Sequence, residues 1–221
     1  MKTNRRTLHT LLYLALFAVG FAFVESTVVV YLRSLYYPEG FRFPLALMGK
    51  HHILSEVARE VATIVMLVSV ALLAGTRAWE RFGYFLVAFG VWDIFYYVWL
   101  KVLLDWPAKL ADWDVLFLIP LPWIGPVIAP VLISVVMIWG GVMLVRRSSS
   151  DGSFHFGRAA WVLSVTATII AFYSFISDSR SVTDGAIPSG YRYELLAASI
   201  VLYVAAFVLA GRPSSSHDRP H

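Results

Sequence analysis

Six apolar runs, mostly separated by short charged or glycine- and proline-rich segments, set the rhythm of the chain; they cover about 8–32, 51–75, 82–104, 124–145, 159–177 and 194–211. A helix needs about 20 predominantly apolar residues to cross a hydrocarbon core of ~30 Å. The pattern therefore predicts an all-α fold, a polytopic membrane bundle of six transmembrane helices in a single domain, followed by a flexible polar tail over 212–221. The first run follows Lys2–Arg6 and imitates a signal peptide, but its apolar stretch continues past Ala18-Val-Gly20 and Gly20-Phe-Ala22 without a polar break, so the first helix is expected to stay.

The fourth run is irregular at its start. Leu118-Ile-Pro-Leu-Pro-Trp-Ile-Gly-Pro-Val-Ile-Ala-Pro130 carries four prolines and a glycine. Proline lacks the backbone donor a helix interior requires, so a regular helix is expected from about Pro126, preceded by an interfacial or re-entrant segment. Pro130 is expected to free one carbonyl of the following helix.

Composition narrows the class. Of 221 residues, 59% are hydrophobic and only 14% charged, against roughly 25% charged in soluble domains. Mean hydropathy is +0.71. Too few charges are present to cover a water-facing surface, which argues against a soluble enzyme, a disordered chain or a nucleic-acid-binding module; the expected partner is the lipid bilayer. The net charge of +4 adds little, because the bases sit at the ends of the apolar runs. The Arg5–Arg6 and Arg146–Arg147 pairs carry the strongest bias and predict both termini in the cytoplasm of a plasma (inner) membrane. Cysteine is absent, which removes disulfides and thiolate chemistry.

Ionisable residues within spans are costly and are functional candidates by default. Here they are Glu25, Glu56, Arg59, Glu60 and Asp93. His52, Glu56 and Glu60 recur every four residues and share one helical stripe; Asp93, Tyr97, Lys101 and Asp105 form another. Four carboxylates against one guanidinium leave three negative charges in a low dielectric. Either some carboxylates are protonated or a cation completes the site.

Three readings follow. In the first, Glu25, Glu56, Glu60 and Asp93 bind a proton or cation for transport or coupling, with Arg59, Tyr96 and Tyr97 tuning them and His51 and His52 at the mouth. In the second, His52, Glu25, Glu56, Glu60 and Asp93 ligate a divalent metal ion in an enzyme acting on an apolar substrate. In the third, the network only fixes helix register within a non-catalytic subunit, partnered by another membrane protein or by copies of itself. Arg33, Arg42, Asp105, Asp112 and Asp114 read as ordinary loop charges, Lys101 as a snorkelling one, and Trp106, Trp113 and Trp123 as an interfacial belt. Paired mid-span histidines, a Schiff-base lysine, and the G-x-S-x-G, H-E-x-x-H and P-loop motifs are absent. The acids are confined to the first three spans, which does not support an inverted-repeat transporter.

Overall fold

The computed structural model describes residues 2–150, 156–188 and 190–210; the predicted tail over 212–221 lies outside the described residues. The element order is α1 (Lys2–Tyr36), α2 (Lys50–Ala74), α3 (Ala78–Leu104), β1 (Trp113–Phe117), β2 (Trp123–Pro126), α4 (Ile128–Ser150), α5 (Arg158–Ile176), α6 (Ser179–Thr183) and α7 (Tyr193–Ala210). Among the described residues, six helices are long and apolar enough to cross a membrane. Their boundaries follow local chemistry. Pro38 lies just beyond α1. Gly75 ends α2, and at the start of α3 the Glu80 carboxylate accepts the Thr76 and Arg77 amides. Asp105 ends α3 in the left-handed conformation, with φ 53°.

Helix α3 is the hub, packing along α1 and α4 and, over a shorter length, along α2; α5 and α7 form a second unit attached through α4 and β2. Small residues set the α3–α4 distance. A Cβ built on Gly83 would lie 2.7 Å from the Gly141 carbonyl oxygen, and one on Gly90 would lie 2.7 Å from the Ser134 carbonyl oxygen. Two contacts seven residues apart on each helix, running in opposite directions, describe an antiparallel backbone-to-backbone approach that only glycine permits. Large apolar side chains point outward in rows, such as Leu8, Leu12 and Leu16 on α1 and Val201, Val204 and Val208 on α7. A monomer in water does not expose this much apolar surface, whereas lipid accepts it.

The segment before the fourth long helix makes an antiparallel hairpin, with Asp114 opposite Gly125 and Phe117 opposite Trp123. The chain just beyond β1 reaches α2. The Leu118 amide donates to both Glu60 oxygens at 2.9 Å, and Glu60 lies ten residues into α2, about 15 Å from its start at 1.5 Å per residue. Pro120 and Leu121 at the tip are exposed. Proline at this position presents no backbone N–H in need of a partner. The helix begins at Ile128, two residues later than Pro126. The expectation for Pro130 is corrected: it falls in the first turn, where amides have no intrahelical acceptor, so no carbonyl loses its partner. Trp106, Trp113 and Trp123 pack on Arg33, Tyr191 and Phe175 respectively.

Candidate functional site

Helices α1, α2 and α3, the 37–49 loop and β1 surround a cavity of about 180 Å³. Each wall is a helical stripe. Glu25, Val29, Arg33 and Tyr37 recur every four residues at the α1 wall; Glu56, Arg59, Glu60 and Thr63 form the α2 wall; Trp92, Asp93, Tyr96 and Tyr97 form that of α3. All four predicted carboxylates, and the predicted tuning residues Arg59, Tyr96 and Tyr97, line this one space. Glu60 and Asp93 stand near the middle of their helices, with Glu25 and Glu56 closer to the hairpin end.

Each acid has a hydrogen-bond partner, and Glu25 and Glu56 share theirs. Arg59 bridges two helices, donating to Glu25 of α1 and, through Nε and Nη2 at 3.1 and 2.9 Å, to Glu56 Oε2 one turn before it. Glu60 holds the hairpin tip. Asp93 accepts the Ser134 hydroxyl of α4 at 2.8 Å; the donor is thus not Tyr96 or Tyr97, as α3 alone suggests, but the helix that the Gly90 crossing draws close. Glu25, Glu56 and Glu60 are all buried.

Reading Arg33 and Asp114 as loop charges is also corrected. Both are buried, 7% and 3% exposed, and they pair at 3.0 Å. The Arg33 guanidinium lies 3.8 Å from the Trp106 ring centroid and 4.5 Å from that of Phe41, so two aromatic faces replace part of its hydration. Burial raises the Asp114 carboxyl to about 6, opposed by Arg33, the Val115 amide and the Tyr97 hydroxyl. The signal for Arg33 was present: it stands two turns beyond Glu25 on the same stripe. Asp114 had none, because its placement depends on the hairpin. Arg42, Asp105 and Asp112 do behave as loop charges, pairing locally with Glu39, Lys101 and the Lys109 amide.

The metal-ligand set does not assemble. His52 turns away from Glu56 to the Tyr36 hydroxyl, at 2.5 Å from its Nδ1, and His51 is exposed. Among the described residues, no three histidine or carboxylate side chains are arranged to hold a metal ion. The acids line the cavity from three helices, Glu25 and Glu56 joined through Arg59, Glu60 bonded to the Leu118 amide and Asp93 to the Ser134 hydroxyl.

Two donors remain open. Arg33 Nη1 and Trp92 Nε1 are buried with no hydrogen-bond partner among the described residues, and both residues line the cavity. Asp93 Oδ2 and Glu56 Oε2 are engaged, while no hydrogen bond to Asp93 Oδ1 or Glu56 Oε1 is found among the described residues. The space therefore offers both donors and acceptors. Comparison of the chain with protein-family models, with curated proteins and with solved structures finds no match.

Proposed function

We propose that this is a multi-pass protein of the plasma (inner) membrane, both termini cytoplasmic, whose cavity between α1, α2 and α3 binds a proton or small cation for transport or coupling. One observation carries the reading: five carboxylates (Glu25, Glu56, Glu60, Asp93 and Asp114) and only two guanidiniums (Arg33 and Arg59) line a single cavity. Three negative charges in excess cannot persist in an apolar surround without protons or a counter-ion. Glu56, Glu60 and Asp93 carry the ion in this reading, Glu25 completes the site, and Arg59 tunes it by holding α1 to α2. The topology rests on the basic residues at the span ends.

The test is ion movement in proteoliposomes under an imposed gradient. The wild type is expected to move protons or a monovalent cation above the level of empty liposomes, and Asp93→Asn is expected to abolish that movement while leaving the protein folded. Flux equal to that of empty liposomes for every ion tried, with no ion-dependent change in thermal stability, defeats the proposal.

A further inference from the structure

The walls of the cavity say more about its occupant than charge alone does. A bare cation satisfies the carboxylates but leaves Arg33 Nη1 and Trp92 Nε1 unpaired, and two guanidiniums oppose it. A simple anion satisfies those donors and is repelled by the excess acids. Burying an unpaired donor costs about 1–3 kcal/mol, so an occupant that both donates and accepts is required. Water is the smallest such molecule, and about 180 Å³ far exceeds the roughly 10–15 Å³ that admits one water.

The geometry also supplies a route. Beyond the cavity lies a depression of about 440 Å³ walled by Asp105, Trp106 and the start of the 37–49 loop. Arg33, Tyr37 and Phe41 line both spaces and form the partition between them, with Asp114 on its inner side, paired to Arg33.

Resting on the ion-binding reading above, we propose that the cavity holds a chain of waters joining the Arg33–Asp114 pair to Asp93, and that the ion it serves is the proton. A proton that passes this partition from the outer depression binds Asp114, whose bond to Arg33 then weakens. Asp114 passes the proton to cavity water and returns to its anion, and Asp93 accepts the proton at the far end. The groups facing Asp114 are Arg33 from α1, Tyr96, Tyr97 and Asp93 from α3, and the Val115 amide of its own strand. With its carboxyl at about 6, Asp114 both binds and releases protons near neutral pH.

The native chain has no cysteine, so single-cysteine variants need no prior background. In the full-length reconstituted protein, Val29→Cys and Leu116→Cys, both on the cavity wall, are expected to react with a quaternary-ammonium methanethiosulfonate at least about tenfold faster than Val61→Cys on the outward apolar face, because the thiolate forms only in water. Infrared difference spectra across a pH jump are expected to show carboxyl bands lost separately in Asp93→Asn and Asp114→Asn. Cavity cysteines as unreactive as Val61→Cys would show a dry space and overturn the inference. Protection of both cysteines by sodium or potassium at constant pH, without carboxyl bands, would overturn it too, while leaving ion binding intact. Failure of the ion-binding reading is separate, because it appears as absent flux in the liposome assay.

Discussion

Replacing Gly90 by alanine tests the α3–α4 approach that positions Asp93. The added Cβ would meet the Ser134 carbonyl oxygen at 2.7 Å and Ile138 Cγ1 at 2.8 Å, whereas ordinary contact begins at 3.4 Å. The obstacle is backbone, so the helices must part by about 0.7 Å at that level. Overpacking of this kind costs about 1–3 kcal/mol. The same shift carries the Asp93–Ser134 bond from 2.8 Å to about 3.5 Å, beyond useful hydrogen-bond geometry. Gly83→Ala makes the equivalent clash with the Gly141 carbonyl two turns away and serves as a comparison that leaves Ser134 untouched. Gly20→Ala meets nothing within 4 Å and should be neutral or stabilising by roughly 0.5–1 kcal/mol. Equilibrium unfolding in mixed micelles measures all three. Both crossing variants should lose stability alike, and only Gly90→Ala should also slow ion movement. A Gly90→Ala protein as stable as Gly20→Ala would refute the close crossing.

Other outcomes follow from the same contacts. Arg33→Gln strands a buried Asp114 and should cost about 3–5 kcal/mol; the double variant with Asp114→Asn should recover a large part of it, measured as a coupling energy in a double-mutant cycle. Folded Asp114 titrates at about 6 against an ordinary 3.8. Its contribution is therefore fully present below pH 3.8 and is lost as pH rises through about 6, a difference of about 3 kcal/mol. Unfolding curves of the wild type minus those of Asp114→Asn should show this slope between pH 4 and 6, and parallel curves would contradict it. Glu60→Gln keeps an acceptor for the Leu118 amide and should leave the hairpin tip in place. Glu60→Leu should destabilise by about 1–3 kcal/mol and accelerate hydrogen exchange at Leu118.

The six helices were readable because each must present apolar residues on every outward side, a signal that needs no knowledge of neighbours. Glu25, Glu56, Glu60 and Asp93 were readable as candidates for the opposite reason, being charges where none belongs. What was not readable depended on partners distant in sequence. Asp114 meets Arg33 across 81 positions, Asp93 meets Ser134 across 41, and Glu60 meets Leu118 across 58. All three contacts need the hairpin or the α3–α4 crossing first. The hairpin itself escaped because Val115-Leu-Phe117 and Trp123-Ile124 are short apolar runs without alternation, which periodicity does not assign to strand or helix. His52 shared the Glu56 stripe yet found Tyr36 instead, since it stands a full turn nearer the end of α2, opposite the last residue of α1.

In the proposed membrane reading, the Arg59 bridge bears on how the chain would enter a bilayer. Taken alone, α2 presents Glu56, Arg59 and Glu60 to the insertion machinery, and a charged residue at mid-span costs about 2.5–3.5 kcal/mol. Glu25 on the preceding helix neutralises part of that cost only if α1 is still alongside when α2 arrives. Integration of the two as a helical pair, with the proline-tipped hairpin folding in after both, is the order of biogenesis that this bridge favours.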